Sequence, residues 1–399
     1  MKFSIKKEVL LHSLNSVSKA ISSKNLIPVL GGIKFNLTKE GLFLSASDND
    51  ISIETFIDKD KLEEINEIGS TVIQGKYILD IIRKLEGRIV NIELLDNIKV
   101  LISCGNSEFN LNCMESGEFP NLNMEEKKDP IIINKEEFKD LISKTSFAVS
   151  TQETRPILTG INFKISKDKL ECISTDSYRL AKKYVSLDKE VGEDINVVIP
   201  GKNLIELTKI IEENENKIEM HIFTNKVLFK FDDTMFQTRV LSGTFPDVNR
   251  LIPEAFELEI TLNANEFYNV IDRAALLTSE KDKNIVKFEC NNNEITVSSN
   301  SPEIGHVEEK MEVEKNNDNN INIAFSSKFM MDALRTVESK DVVICFNNDV
   351  KPIIIKDSKD ETLLQLILPI KTYYLAKKLV FLLINIKYDN IFYIPVDNI

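Results

Sequence analysis

At 399 residues, 42% apolar and 28% charged, the chain has the balance of a folded protein too long for one ordinary core, so two to four domains are expected, with three as the working number. Five scattered cysteines with no C-x-x-C pair argue against a disulfide framework or a zinc site and fit a reducing cytoplasm. A formal charge of −13 argues at face value against nucleic-acid binding, and the late apolar run LVFLLI from Leu379 falls short of the ~20 residues a membrane span needs.

The opening MKFSIKKEVLLHSL is amphipathic and charged, so no secretory leader is expected. Leu10, Leu14, Val17 and Ile21 predict a one-faced helix. Strands of period two follow, with Phe35 and Leu37 before the turn TKEG and Leu42 and Leu44 after it. A second helix is predicted over KYILDIIRKLEG from Lys76, then a strand through Val100, Ile102 and Cys104, then the turn SGEFPNL at Ser116 to Leu122.

The same order then recurs. Phe138, Leu141, Ile142, Thr145 and Val149 predict a helix, KNLIELTKIIEEN from Lys202 another, and Val227, Phe229 and Phe231 a strand. SGTFPDV at Ser242 to Val248 repeats the earlier turn at an offset of 126 residues. A third pass has Phe267, Val270, Ile271 and Ala274, then SKFMMDALRTVESK from Ser327, then Ile353 and Ile355. A period this long exceeds that of solenoid repeats, so these are whole domains in series. The expected class is α+β: three copies of one domain, each with two helices packed on antiparallel sheets. The boundaries are 1–125, 126–253 and 254–373, with an atypical C-terminal extension at 374–399. NMEEKKDP and IPEAFE, polar or proline-bearing, suit the joints near 123–130 and 250–258.

STDSYRLA, from Ser174, could serve acid–base chemistry, but the repeat supplies a control. Asp176 aligns with Asp48 and Asn300, side chains suited to bonding their own turn backbone. What the other copies lack is Tyr178, Arg179 and Leu180, a hint of binding rather than catalysis. His12, His221 and His306 fall at unrelated repeat positions, so metal ligation and histidine-based nucleophilic chemistry are not expected. No phosphate loop occurs, and the cysteines sit in alternating strand patterns that favour core packing. No catalytic residue, metal or cofactor is expected.

The predicted helical windows 6–24, 76–88, 135–150, 201–214, 263–283 and 326–340 together carry +4, which leaves −17 for the remainder of the chain. Charge on a helix face can simply solvate it. If instead each domain turns its helices to one side, a ring of such domains has a basic lining and an acidic rim. That lining would attract phosphates without reading sequence.

RPILTGINF (from Arg155), STDSYRLA (Ser174), VIPGKNLIEL (Val198), SGTFPDVNRLIP (Ser242), DRAALLTSEK (Asp272) and LLQLILPIKTY (Leu363 to Tyr373), with MKF at the start, resemble in register the bacterial DNA polymerase III beta subunit family, the sliding clamps. The resemblance covers residues 1–373. It implies a non-catalytic processivity factor of DNA replication: a cytoplasmic head-to-tail homodimer whose six domains encircle duplex DNA regardless of sequence. It also implies tethering of the DNA polymerase III alpha subunit, the clamp loader, and other polymerases and repair factors through short peptides, with no membrane partner.

Carried over residue by residue, the peptide-binding pocket uses Leu158, Thr175, Ser177, Tyr178, Arg179, Leu180, Pro246, Arg250 and Leu251. From the third copy come Phe329, Val350, Pro352, Ile367, Leu368, Pro369, Ile370 and Lys371. For DNA the family's pattern falls on Lys24, Arg83, Gln152 and Lys202, with Lys76 a weaker match. Lys371 stands where the family commonly has Arg, keeping the charge but losing the planar fork. The tail from Tyr374 departs further: it reads as translated noncoding sequence, or as a segment that packs as an extra strand or folds over the pocket. Three rivals remain: a two-domain trimeric clamp, which three internal copies disfavour; an enzyme centred on Asp176 to Arg179; and a three-domain scaffold that does not encircle DNA.

Overall fold

Hydroxyl side chains end the helices. The computed structural model describes residues 1–22, 27–96, 98–212, 216–279 and 284–371, and its six α-helices are α1 (Lys7–Val17), α2 (Gly75–Lys84), α3 (Lys135–Thr145), α4 (Gly201–Thr208), α5 (Ala264–Ala275) and α6 (Ser327–Leu334). At or just beyond most C-termini a Ser or Thr donates back to a carbonyl of the last turn: Ser18 to Asn15, Thr145 to Leu141, Thr208 to Ile205, Thr278 to Ala275 and Thr336 to Ala333. These bonds satisfy acceptors that a further turn would otherwise need.

The helices are therefore shorter than apolar spacing suggests. Ile21 and Val149 are in extended backbone beyond α1 and α3, not on them. The charge partition shrinks accordingly. Lys6, Lys19, Arg88, Lys209, Arg335 and Lys340 stand outside the helices, and only α2 keeps a net positive charge, with Lys76, Arg83 and Lys84 against Asp80. Lys24 and the tail from Tyr374 lie outside the described residues.

Each copy is a strand–helix–three-strand module written twice. In the first, Lys2–Lys6 and α1 precede Gly32–Leu37, Gly41–Ser47 and Ile51–Asp58; Gly69–Gln74 and α2 precede Ile89–Asp96, Lys99–Cys104 and Ser107–Met114. Small additions are the strands Leu62–Glu67 in copy one and Glu314–Lys315 in copy three. The repeat extends to single bonds. Ser174 and Ser299, each on the strand pair that follows its helix, donate to Thr145, the last residue of α3, and to Ala274, the last but one of α5.

The first two copies share one compact unit, residues 1–176 and 182–246. Their joint is a strand pair: Thr234–Arg239 runs antiparallel to Ile51–Asp58, with Phe236 opposite Ile53 and Thr238 opposite Ile51. A sheet of thirteen strands results. Phe3, Leu10, Phe35, Ile78, Phe138, Leu204, Phe229 and Phe236 belong to one core beneath it, all fully buried. Each such side chain contributes about 1.5–3 kcal/mol.

The second unit holds residues 177–181 and the third copy. Leu258–Asn263, Asp341–Phe346, Ile353–Asp357 and Leu363–Ile367 pair in that order, and a separate sheet runs Gly305–Glu312, Glu294–Ser301, Ile285–Asn291, Ile321–Ser326. Phe288 centres its core, with ring centroids 6.0, 6.1 and 5.4 Å from Phe267, Phe325 and Phe346. All five cysteines are buried. Burial pushes the Cys172 thiol well up and that of Cys345 to about 12, so neither supplies a thiolate at neutral pH.

Candidate functional site

In the first copy Asp48 bonds its own turn backbone, as the structural reading of this slot expects. Its Oδ1 accepts the N–H of Asp50 at 3.1 Å and of Ile51 at 2.9 Å. The second copy's turn keeps the same backbone one residue on, with Ser177 in the left-handed region at φ 78° as Asn49 is at φ 76°, so what sets it apart is the Tyr178, Arg179 and Leu180 that follow.

That turn and the third copy form an apolar face in the second unit. Tyr178 is 61% exposed, Val350 51% and Leu251 49%. Beside them Phe329, Pro352, Leu368, Pro369 and Ile370 are half-buried. Backbone bonds hold the face: Leu368 N–H donates to Tyr178 O at 2.8 Å and Ile370 N–H to Ala324 O at 2.7 Å. Asn348 Oδ1 accepts from Val350 and Lys351 N–H, which turns the chain and presents Val350 outward.

Arg179 is an anchor rather than a free cation. Its guanidinium lies 4.5 Å from the Phe329 ring centroid, and Nη1 reaches Asp332 Oδ2 at 2.7 Å. With the two side chains 10% and 20% exposed, the pair is partly withdrawn from water. Asp332 also accepts from Arg335 at 3.0 Å, and Arg335 donates to the Tyr268 hydroxyl at 2.6 Å. Asp332, Arg335 and Tyr268 escape sequence reasoning because nothing in their local pattern announces the network.

Not every residue of the expected pocket offers surface. Leu180 and Ile367 are each 1% exposed, and in the first unit Leu158 and Thr175 are buried at 4% and 6%. Pro246 in the first unit is exposed, as are Ser177 and Lys371 in the second. Arg250 is also open, its Nε 3.6 Å from Asp247 Oδ2.

The cations expected to meet DNA stand elsewhere in the two units. Lys76 and Arg83, seven residues apart, share one face of α2, about 10 Å from each other along the axis. Arg83 Nη2 donates to Asn15 Oδ1 of α1 at 3.4 Å. Lys202 is exposed at the second position of α4, and Gln152 is exposed with its N–H donating to Ser150 Oγ at 3.1 Å. The repeat adds a residue that the resemblance omits: Lys328, exposed at the second position of α6. Among the described residues no side chain caps α2, α4 or α6, whereas Asn134 and Asn263 cap α3 and α5. A cation beside open first-turn amides opposes the helix dipole by about 0.3–1 kcal/mol, yet all three second helices carry one.

Three family models match in series: the DNA polymerase III beta subunit N-terminal domain over residues 1–123, its central domain over 132–247 and its C-terminal domain over 249–371. The chain is 42% identical over 378 residues to the Beta sliding clamp of Bacillus subtilis and 40% identical over 377 residues to that of Staphylococcus aureus, in each case across 94% of this chain and all of the relative. The crystal structure of the DNA polymerase sliding clamp from Bacillus subtilis superposes with a TM-score of 0.90 over 94% of this chain and 100% of that one. The beta subunit from the DNA polymerase of Streptococcus pyogenes gives 0.89 at 31% identity, covering 93% of this chain and 100% of that one.

Proposed function

From the premise that this chain belongs to the DNA polymerase III beta subunit family, we propose that it is a sliding clamp: a non-catalytic processivity factor that closes as a dimeric ring around duplex DNA and tethers the replicative polymerase. The observation that carries this reading is the strand-paired joint between copies one and two. Ile51–Asp58 of one copy meets Thr234–Arg239, the last strand of the next. The third copy's counterpart of the former is Gly305–Glu312, paired on one side, with Glu294–Ser301, among the described residues. The first copy's counterpart of the latter is Ser107–Met114, whose Ser107–Asn112 stretch is paired with Lys99–Cys104 and on that side alone among the described residues, while Cys113 and Met114 pair with Ile73 and Val72. A second chain that supplies each edge to the other repeats the internal joint twice and closes the ring. The exposed Phe109 and Leu276, at 38% and 78%, supply apolar contact for that closure.

On this reading Lys76, Arg83, Gln152, Lys202 and Lys328 face the DNA backbone, while Lys24, outside the described residues, is a further candidate by resemblance alone. Contacts of this kind hold the duplex without fixing a sequence, so the ring can slide. The apolar face around Tyr178, Leu251 and Val350, with Pro246, Arg250 and Lys371 at its rim, receives short peptides bearing Leu and Phe from the polymerase alpha subunit, the clamp loader and repair factors. The domains run 1–125, 126–253 and 254–373, and the site of action is the cytoplasm. Among the described residues no helix is long and apolar enough to cross a membrane.

Fluorescence anisotropy with a labelled polymerase-derived clamp-binding peptide tests the docking face. Saturable binding is expected, and its absence would overturn this assignment of the pocket.

A further inference from the structure

Between the first two copies, the segment 123–129 is tied to the sheet by side chains. Lys226 Nζ donates to Asn123 O at 2.7 Å, Lys230 Nζ pairs with Glu126 Oε2 at 2.7 Å, and the Lys127 N–H donates to His221 Nδ1 at 2.8 Å. Within this cluster His221 is only 1% exposed, and its Nε2 is buried with no hydrogen-bond partner. A buried polar atom without a partner is costly and calls for an explanation.

Two carboxylates stand near it. Glu219 Oε2 lies 3.4 Å from Nε2, and ligand atoms of Glu126, Glu219 and His221 all fall within 4.8 Å of one another. Zinc bonds of about 2.1 Å at tetrahedral angles separate neighbouring ligand atoms by about 3.4 Å. Imidazole with two carboxylates favours a borderline divalent transition ion over magnesium or calcium. We propose that Glu126, Glu219 and His221 form a binding site for one Zn²⁺ ion that pins the segment between the first two copies to the strand Lys217–Ile222.

The protons balance as follows. While Nδ1 accepts from Lys127, the neutral ring carries its proton on Nε2. The ion takes the Nε2 lone pair, the displaced proton returns to the ring at Nδ1, and the Lys127 amide turns to solvent. Glu126 exchanges the Lys230 ammonium for the ion, which the 35% exposed lysine permits by swinging outward. Two carboxylates, a neutral imidazole and the dication leave the site neutral, with water in the fourth position.

The test is a Zn²⁺ titration of the full-length, chelator-stripped protein, with free ion read by a chromogenic indicator. The wild type should take up one ion at this site. Glu126→Gln and Glu219→Gln, both at partly exposed positions, should each weaken it tenfold or more. His12→Gln and His306→Gln, which alter exposed imidazoles near Glu212 and Glu308, should leave it within twofold. In ¹⁵N spectra the His221 ring proton should move from Nε2 to Nδ1, and proteolysis within 123–130 should slow. No uptake, uptake indifferent to both glutamate variants, uptake lost in His12→Gln or His306→Gln, or an unshifted His221 ring would each overturn the site.

Discussion

Asp357 illustrates how single residues carry the third copy. It is 7% exposed, and burial alone would raise its pKa. Hydrogen bonds from Ser339 Oγ and from the N–H groups of Lys359, Glu338 and Ser339 outweigh that and hold it below the usual 3.8. A depressed folded pKa stabilises above the unfolded value and loses that contribution as pH falls through the folded one. Asp357→Asn should therefore lower stability at pH 7 by about 1–3 kcal/mol and flatten the loss of stability below pH 4, as read by denaturant melts across pH. At the docking face, Tyr178→Ala should weaken peptide binding at least tenfold by anisotropy while leaving the melting temperature within a degree or two, because the ring is 61% exposed. Tyr178, Arg179 and Leu180 were legible in sequence because two sister copies lacking them served as a control. The Arg179–Asp332–Arg335–Tyr268 chain was not, since its members are brought together only by the fold. The same holds for Glu126, Glu219 and His221, whose ligand atoms only the fold brings within 4.8 Å of one another.

At the scale of elements, apolar spacing placed all six helices but overran their ends. Periodicity reports which face packs and is silent on where hydroxyls such as Thr145 and Thr208 cap the last carbonyls. That overrun inflated the basic charge assigned to the helices, which in fact survives chiefly on α2. The sharper electrostatic signal is the lysine at the second position of α2, α4 and α6. Substituting Lys76, Lys202 or Lys328 by Ala should each reduce the salt dependence of DNA retention by about 0.9 in log–log slope, without changing sequence preference. The strand-paired joint makes an equally direct forecast. Phe236 sits fully buried opposite Ile53, so Phe236→Ala should cost about 3–5 kcal/mol in chemical denaturation and loosen the first copy from the second.

For the whole molecule, the threefold internal repeat was readable from the duplicated SG-x-FP turn, because a shared fold keeps its turn chemistry even where core residues drift. What the repeat could not reveal is that the joint is a continued sheet, since strand partners as far apart in sequence as Ile53 and Phe236 leave no local pattern. Continuity of that kind gives a rule for assembly. An edge strand at each end of the chain asks for the same pairing again, and two chains of 45.5 kDa satisfy both edges where a single chain satisfies neither.

Topological linkage to DNA is the claim on which the rest depends. Purified full-length protein, loaded onto a nicked circular plasmid by a clamp loader and ATP, should remain with the plasmid through gel filtration at high salt. It should leave when a single restriction cut linearises the circle. Retention that survives linearisation, or no retention on the circle under conditions in which the Bacillus subtilis clamp is retained, would contradict a ring around the duplex.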